Sequence, residues 1–220
     1  WPKLVFAKEG TLHVETSRQL HVLPSTRALY VPAGERHPAR SLGRASVRTL
    51  YFSPTLAVDR EPGILEVRPL LRELIAETCA TGPLLRHRER DRAISALLMD
   101  EIQQSNPLAS SIPMPRAEWL RGWAAGFLQD PAAEPPTGYS QRTLERKVLA
   151  ETRLTLGQWP QQARLLVGLQ ELSQGATVLE ASIAAGYETA SGFIQSFRRH
   201  FGTTPGRIFS SAGDEPSLRG

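Results

Sequence analysis

Along residues 1–53 the apolar positions come in short runs, and each run stops at Gly, Pro or Ser. KLVFAKEG, TLHVET, RALYVPAG and SVRTLYFSP are rich in Val, Leu, Phe and Tyr. Such runs predict short strands, and their regular recurrence predicts a barrel or sandwich. At Ile64 the period changes. Ile64, Val67, Leu71, Leu74, Ile75 and Thr78 fall on one helical face. A second helix is predicted over about Arg90 to Gln104, with Ile94, Leu97, Leu98 and Ile102 on its inner stripe. The polar, proline-rich SNPLASSIPMP (Ser105–Pro115) has no period and reads as a linker. Beyond it the pattern is helical, apart from DPAAEPPTG (Asp130–Gly138). The expected class is α+β: a β-barrel-like half with following helices, then an all-α half.

Within the second half, two apolar helical patterns meet at GYETAS. Ala176–Ala185 carries Val178, Leu179, Ala181, Ile183 and Ala184. Gly186 then supplies a residue free to take the positive φ that a helix C-terminus prefers. Tyr187 can wedge into the core, and Thr189 or Ser191 can cap the next helix. Phe193, Ile194, Phe197 and Phe201 form that helix's apolar stripe. Ala190, Ser191 and Gln195 lie off it near the N-terminal end, where a recognition helix meets base edges. Gln pairs with adenine and Ala touches a thymine methyl. Arg198, Arg199 and His200 lie further along and suit phosphates. The competing reading is an ordinary amphipathic helix pair with a solvated charged face.

Composition adds little that is decisive. The chain has 220 residues, 40% of them hydrophobic, which is enough for a core. The net charge is +4, yet residues 1–115 hold 15 Lys/Arg against 12 Asp/Glu and the remainder 11 against 10. Any nucleic-acid footprint is therefore local. No apolar run is long enough for a membrane helix, no signal peptide is visible, and the chain starts at Trp1, so its N-terminus is expected to be missing or processed. The single cysteine, Cys79, cannot form an intrachain disulfide, which fits a reducing cytoplasm. Its apolar helical setting suggests a buried structural thiol.

SIAAGYETASGFIQSFRRHFGTTPGRIF resembles the signature of the AraC/XylS family of bacterial transcription regulators. The resemblance implies two helix-turn-helix motifs joined by a long helix, with Thr189, Ala190, Ser191, Gln195, Arg198 and Arg199 on DNA. GYSQRTLERKVLAETRLTLGQWPQQARLLVGLQELSQG is similar to the family's first recognition helix and the linking helix. There Ser140 caps, Leu144 and Val148 face inward, and Arg142, Glu145 and Arg146 meet bases or phosphates. The linking helix is expected to have Pro160 at its first position and Ala163, Leu166, Leu169 and Leu172 inward. One departure is plain: Pro131, Pro135 and Pro136 forbid the helix that should precede GYS. Either the first motif is degenerate or a stretch is absent near Pro136–Thr137, and we favour the absence.

LYVPAGERHPARSLGRASVRTLYFSP resembles the cupin-type sensor domain found upstream in many such regulators. By that resemblance Pro32 and Gly34 place His37 at the mouth of a small barrel. Phe6, His13, Tyr30 and His37 are then the expected effector-binding residues. His13 and Leu12/Val14 sit on opposite strand faces, and His13 is expected to face the ligand. His13 and His21 lack the H-x-H spacing of metal-binding cupins, so no metal and no cofactor are expected. The expected organisation is a cupin-like sensor and dimerisation domain over 1–104, a linker over 105–115, an AraC-type DNA-binding domain over 116–209 and a flexible tail over 210–220. The expected partners are double-stranded DNA, a small-molecule effector and a second copy of the chain. The surplus apolar stripes on Ile64–Cys79 and Arg90–Gln104 argue for that homodimer. The alternative is a metal-dependent cupin enzyme with a helical appendage.

Overall fold

The computed structural model describes residues 1–41, 44–56, 62–105 and 110–209. The expected tail over 210–220 lies outside the described residues. Seven strands come first: β1 (Lys3–Glu9), β2 (Leu12–Glu15), β3 (Gln19–Leu23), β4 (Arg27–Val31), β5 (Ala39–Ser41), β6 (Ser46–Tyr51) and β7 (Gly63–Glu66). Helices α1 (Pro69–Thr81) and α2 (Glu89–Gln104) follow, then a short β8 (Ser111–Pro113). The rest is helical: α3 (Glu118–Phe127), α4 (Gln141–Thr152), α5 (Gln158–Ser173), α6 (Val178–Ala184) and α7 (Ala190–Phe201). The class is α+β, as expected. The strands form two four-stranded sheets, ordered β6-β1-β4-β7 and β5-β2-β3-β8, and every pairing is antiparallel. The barrel expected from the strand pattern is thus two sheets face to face.

Strand alternation distributes the side chains among three cores. Val5, Ala7, Leu29, Val31 and Ile64 of the first sheet meet Leu12, Val14 and Leu23 of the second. On the first sheet's other face, Leu4, Phe6, Ala28, Tyr30 and Leu50 pack under Leu71, Leu74 and Ile75 of α1 and Ile94, Leu98 and Ile102 of α2. On the second sheet's other face, Leu20, Val22 and Ile112 join Trp123, Trp159, Leu166 and Leu169 in one core with the helical half. The Trp159 Nε1 donates to the Pro113 carbonyl at 2.7 Å.

Several expectations change. Ile64 begins no helix: it lies in β7, paired with Leu29, and Pro69 starts α1 as a proline at a helix's first turn does. Part of the expected linker, Ser111–Pro113, is β8, because β3 needs a partner for its outer edge and finds it at Leu20↔Ile112. Leu97 is exposed, at 45%, rather than on the inner stripe of α2. Cys79 is exposed, not a buried structural thiol: it follows Ile75 on the same face of α1 but lies near the helix's C-terminal end, beside an open cavity. Pro160 is the third residue of α5, not the first, still among the positions whose N–H has no helical acceptor. Among the described residues no helix is long and apolar enough to cross a membrane.

Two outcomes follow from the packing. A Cβ built on Gly168 of α5 would lie 2.5 Å from the Phe193 ring, which is fully buried and has nowhere to move. Gly168→Ala should therefore cost about 1–3 kcal/mol in urea unfolding. Gly122→Ala, on open helix surface in α3, should instead be neutral or stabilising by up to about 1 kcal/mol; equal signs for the pair would refute the packing. The second outcome concerns acid. The His21 ring is 1% exposed, its Nε2 lies 3.2 Å from Thr16 Oγ1, and burial holds its pKa down to about 4. The unfolded chain takes up that proton near pH 6.5, so the unfolded state binds more protons between those values. Stability is full above about pH 6.5 and falls as pH drops toward 4, by roughly 3 kcal/mol from this group. In His21→Gln the unfolding free energy should lose that part of its slope over the same window.

Candidate nucleic-acid interface

The interface is built around the turn between α6 and α7. Thr177 opens α6 with a capping box: its hydroxyl accepts from Glu180 N, and the Glu180 carboxylate accepts from Thr177 N at 2.8 Å. That hydrogen bond holds the Glu180 carboxyl below its usual range. The helix closes on Gly186 at φ 71°, where Tyr187 N reaches Ser182 O and Gly186 N reaches Ile183 O, the paired bonds of a Schellman turn. Thr189, not Ser191, then caps α7, accepting from Gly192 N at 3.1 Å. The turn is locked from inside by Tyr187, which meets Phe193 edge-on at 5.3 Å, and by Phe197 behind it.

Locking one face of α7 defines the other. Phe193 and Phe197 are fully buried, while Ser191, Gln195, Arg198 and Arg199 are exposed and Ala190 is half-buried. A groove of about 790 Å³ runs along this face, lined by Ser191, Gly192, Gln195, Arg198, Arg199 and Thr204. Ile194, expected in the buried stripe, is 37% exposed and lines the groove as well. Thr204 was missed; its signal is the polar GTTP turn that follows α7, in which Arg207 N bonds to Thr204 O. On α6, Leu179 and Ile183 are also exposed, at 59% and 65%, against an expected apolar contact. The buried residues of that short helix are Ala181 and Ser182, small enough for a close approach to α5. The far end of α7 is tied to the first half: the Arg27 guanidinium of β4 stacks over the Phe201 ring at 5.3 Å.

The first motif is incomplete. Ser140 caps α4, accepting from Thr143 N. Leu144 and Val148 are buried, and Arg142, Glu145 and Arg146 are exposed, with Gln141 Nε2 donating to Glu145 at 2.9 Å. No helix lies between Phe127 and Gln141. That segment is held instead by Trp123 Nε1 donating to the Ala133 carbonyl and by Tyr139 stacked on Trp119 at 4.1 Å.

The four expected effector residues are not brought together. Phe6 and Tyr30 lie beneath α1, in the core on the far side of the first sheet. Leu12 and Val14 take the space between the sheets, so His13 points the other way, to Gln170 of α5, and burial lowers its pKa. His37 sits at the turn with Nδ1 2.9 Å from the Glu35 carbonyl. Among the described residues no three His, Cys, Asp or Glu side chains are grouped to hold a metal ion.

A family model described as a helix-turn-helix domain matches residues 136–211, beginning just before α4. The HTH-type transcriptional regulator NimR of Escherichia coli (strain K12) is 27% identical over 216 residues, 94% of this chain and 79% of the relative. The HTH-type transcriptional regulator RipA of Corynebacterium diphtheriae is 28% identical over 106 residues, 45% of this chain and 31% of the relative. A crystal structure of ToxT from Vibrio cholerae with a bound unsaturated fatty acid is similar at 8% identity, covering 97% of this chain and 89% of that one with a TM-score of 0.41. The chain therefore carries a helix-turn-helix domain over α4 to α7, and an HTH-type transcriptional regulator is similar to 94% of it.

Proposed function

We propose that this chain is a cytoplasmic transcription regulator that binds double-stranded DNA chiefly through α7, under the control of a small-molecule effector bound by its first half. The observation that carries this is the split character of α7. Its Phe193/Phe197 face is fixed in the core, which leaves Ala190, Ser191 and Gln195 outward at the N-terminal end and Arg198 and Arg199 outward behind them. Ala190, Ser191 and Gln195 read bases in the major groove, with Thr189 presenting the helix start. Arg198 and Arg199 neutralise phosphates. Arg142, Glu145 and Arg146 of α4 make a second, weaker contact, since no helix lies between α3 and α4 to seat α4 across the backbone. The reading involves no catalytic step: an effector that favours one arrangement of the two halves shifts the population toward it.

Gln195→Ala should weaken binding to the cognate site by about 1–3 kcal/mol and relax preference at one base pair. Arg198→Ala should weaken specific and non-specific DNA alike and reduce the salt dependence of binding. Binding titrations on DNA flanking the chain's own gene, at several salt concentrations, read both. Equal losses on every sequence for Gln195→Ala would sink the base-reading role.

We also propose a homodimer through the outer faces of α1 and α2, where Leu70 and Leu97 are exposed. Two copies would then engage repeated half-sites. Leu97→Glu should shift the mass in sedimentation from dimer to monomer without lowering the melting temperature of the fold. A wild-type chain that stays monomeric with and without DNA would remove the proposal.

A further inference from the structure

The face of the first sheet that lies under α1 changes character along its length. Leu4, Phe6 and Leu50 are buried there. In the next positions the same face carries Lys8 and Arg48. Phe6 and Arg48 are register partners in β1 and β6, so their side chains share one face of the sheet. The β1–β6 register shifts between Ala7 and Glu9, around Lys8; such bulges re-aim side chains and recur beside binding sites. A sheet face covered by a helix is expected to stay apolar, and a local breach of that rule marks a functional position more often than a packing one.

The breach opens into a cavity of about 310 Å³ between β1, β6 and α1, lined by Phe6, Lys8, Arg48, Arg72, Glu73 and Ile75. Three cations and one carboxylate, Glu73, line it, and Lys8 also lies 3.9 Å from Glu9 outside the lining. Arg48 makes no ion pair with a described residue. Arg72 is held in place from two sides: its guanidinium lies 5.6 Å from the centre of the Phe6 ring, and Nη2 donates to the Ser25 carbonyl at 3.1 Å. A positioned guanidinium beside a free one suits a carboxylate, and the Phe6–Ile75 wall suits an apolar body. We propose that this cavity binds a small organic anion, a carboxylate carrying a short aromatic or aliphatic group. As the effector site of the regulator the cavity rests on the function proposed above; as a binding site it stands on this geometry alone.

Cys79 lines the same cavity and is the chain's only thiol, so labelling reports occupancy directly. The full chain is reacted with N-ethylmaleimide in the presence of phenylacetate, benzoate or hexanoate. The controls are 2-phenylethylamine, 2-phenylethanol and acetate. At least one of the three carboxylates should slow Cys79 labelling saturably, and the amine, alcohol and acetate should not. Arg48→Gln should weaken the protecting carboxylate about tenfold with an unchanged melting temperature in its absence, and Lys8→Gln should act in the same direction. Three results would each overturn the site: no protection by any carboxylate, equal protection by the amine or alcohol, or wild-type protection in Arg48→Gln. The measurement contains no DNA. Protection in a chain that fails to bind DNA therefore supports the site and counts against the proposed function, whereas DNA binding without protection does the reverse.

Discussion

The Phe193 ring lying on the bare backbone of Gly168 is the contact on which the helical half depends. It sets how closely α7 can approach α5, and so how far the outward face of α7 stands clear of the domain. Everything around it serves that approach. Ala181 and Ala185 are small where α6 comes near, and the Schellman turn at Gly186 brings the chain round without a side chain in the way. Gly186 itself has Pro131 and Arg164 within 3.4 Å of where a Cβ would stand. A phenylalanine fully out of water is worth about 1.5–3 kcal/mol. Its larger effect here is geometric: it gives Gln195 and Arg198 a fixed platform.

The second sheet ties that platform to the rest of the molecule. Because β2 and β3 alternate, Leu12, Val14 and Leu23 look inward while His13, Glu15, Leu20 and Val22 look toward α3 and α5. Polar links surround this apolar seam. Thr11 meets Ser173, Glu15 meets Arg121, and Trp159 donates to Pro113. At the far end Arg27, only 3% exposed and paired in register with Glu66, carries its charge against Phe201. These contacts join the first half directly to the helical half, as far as the end of α7.

Much of this was legible in the residues. The runs that become β1, β2, β4 and β6, the Phe193/Phe197 anchor and the outward Gln195 and Arg198 follow from spacing and side-chain type. The Ser140 cap and the outward Arg142 came with the family resemblance, and the α7 cap was open between Thr189 and Ser191. What escaped had physical causes. The three-residue strands β5 and β8 are too short to show a period. Ile64 and Val67 fit a helical face as well as a strand one, since short apolar runs carry both patterns. Leu97, Leu179, Ile183 and Ile194 are apolar but exposed, and apolar residues on surfaces are common enough that composition does not reveal them. The placement of Phe6, His13, Tyr30 and His37 depended on which sheet face meets which helix, a tertiary fact with no local signature.

The seam on the second sheet also bears on how this chain can be taken apart. Ile112 and Met114 sit in the stretch that joins the two halves, yet both are buried in the core of the helical half, and Trp159 depends on Pro113 for its hydrogen bond. A cut placed within residues 111–114 therefore passes through a packed core. The two halves are not interchangeable parts on a tether. A hybrid that joins this helical half to a different first half has to bring β8 with it, together with a strand able to stand where β3 does.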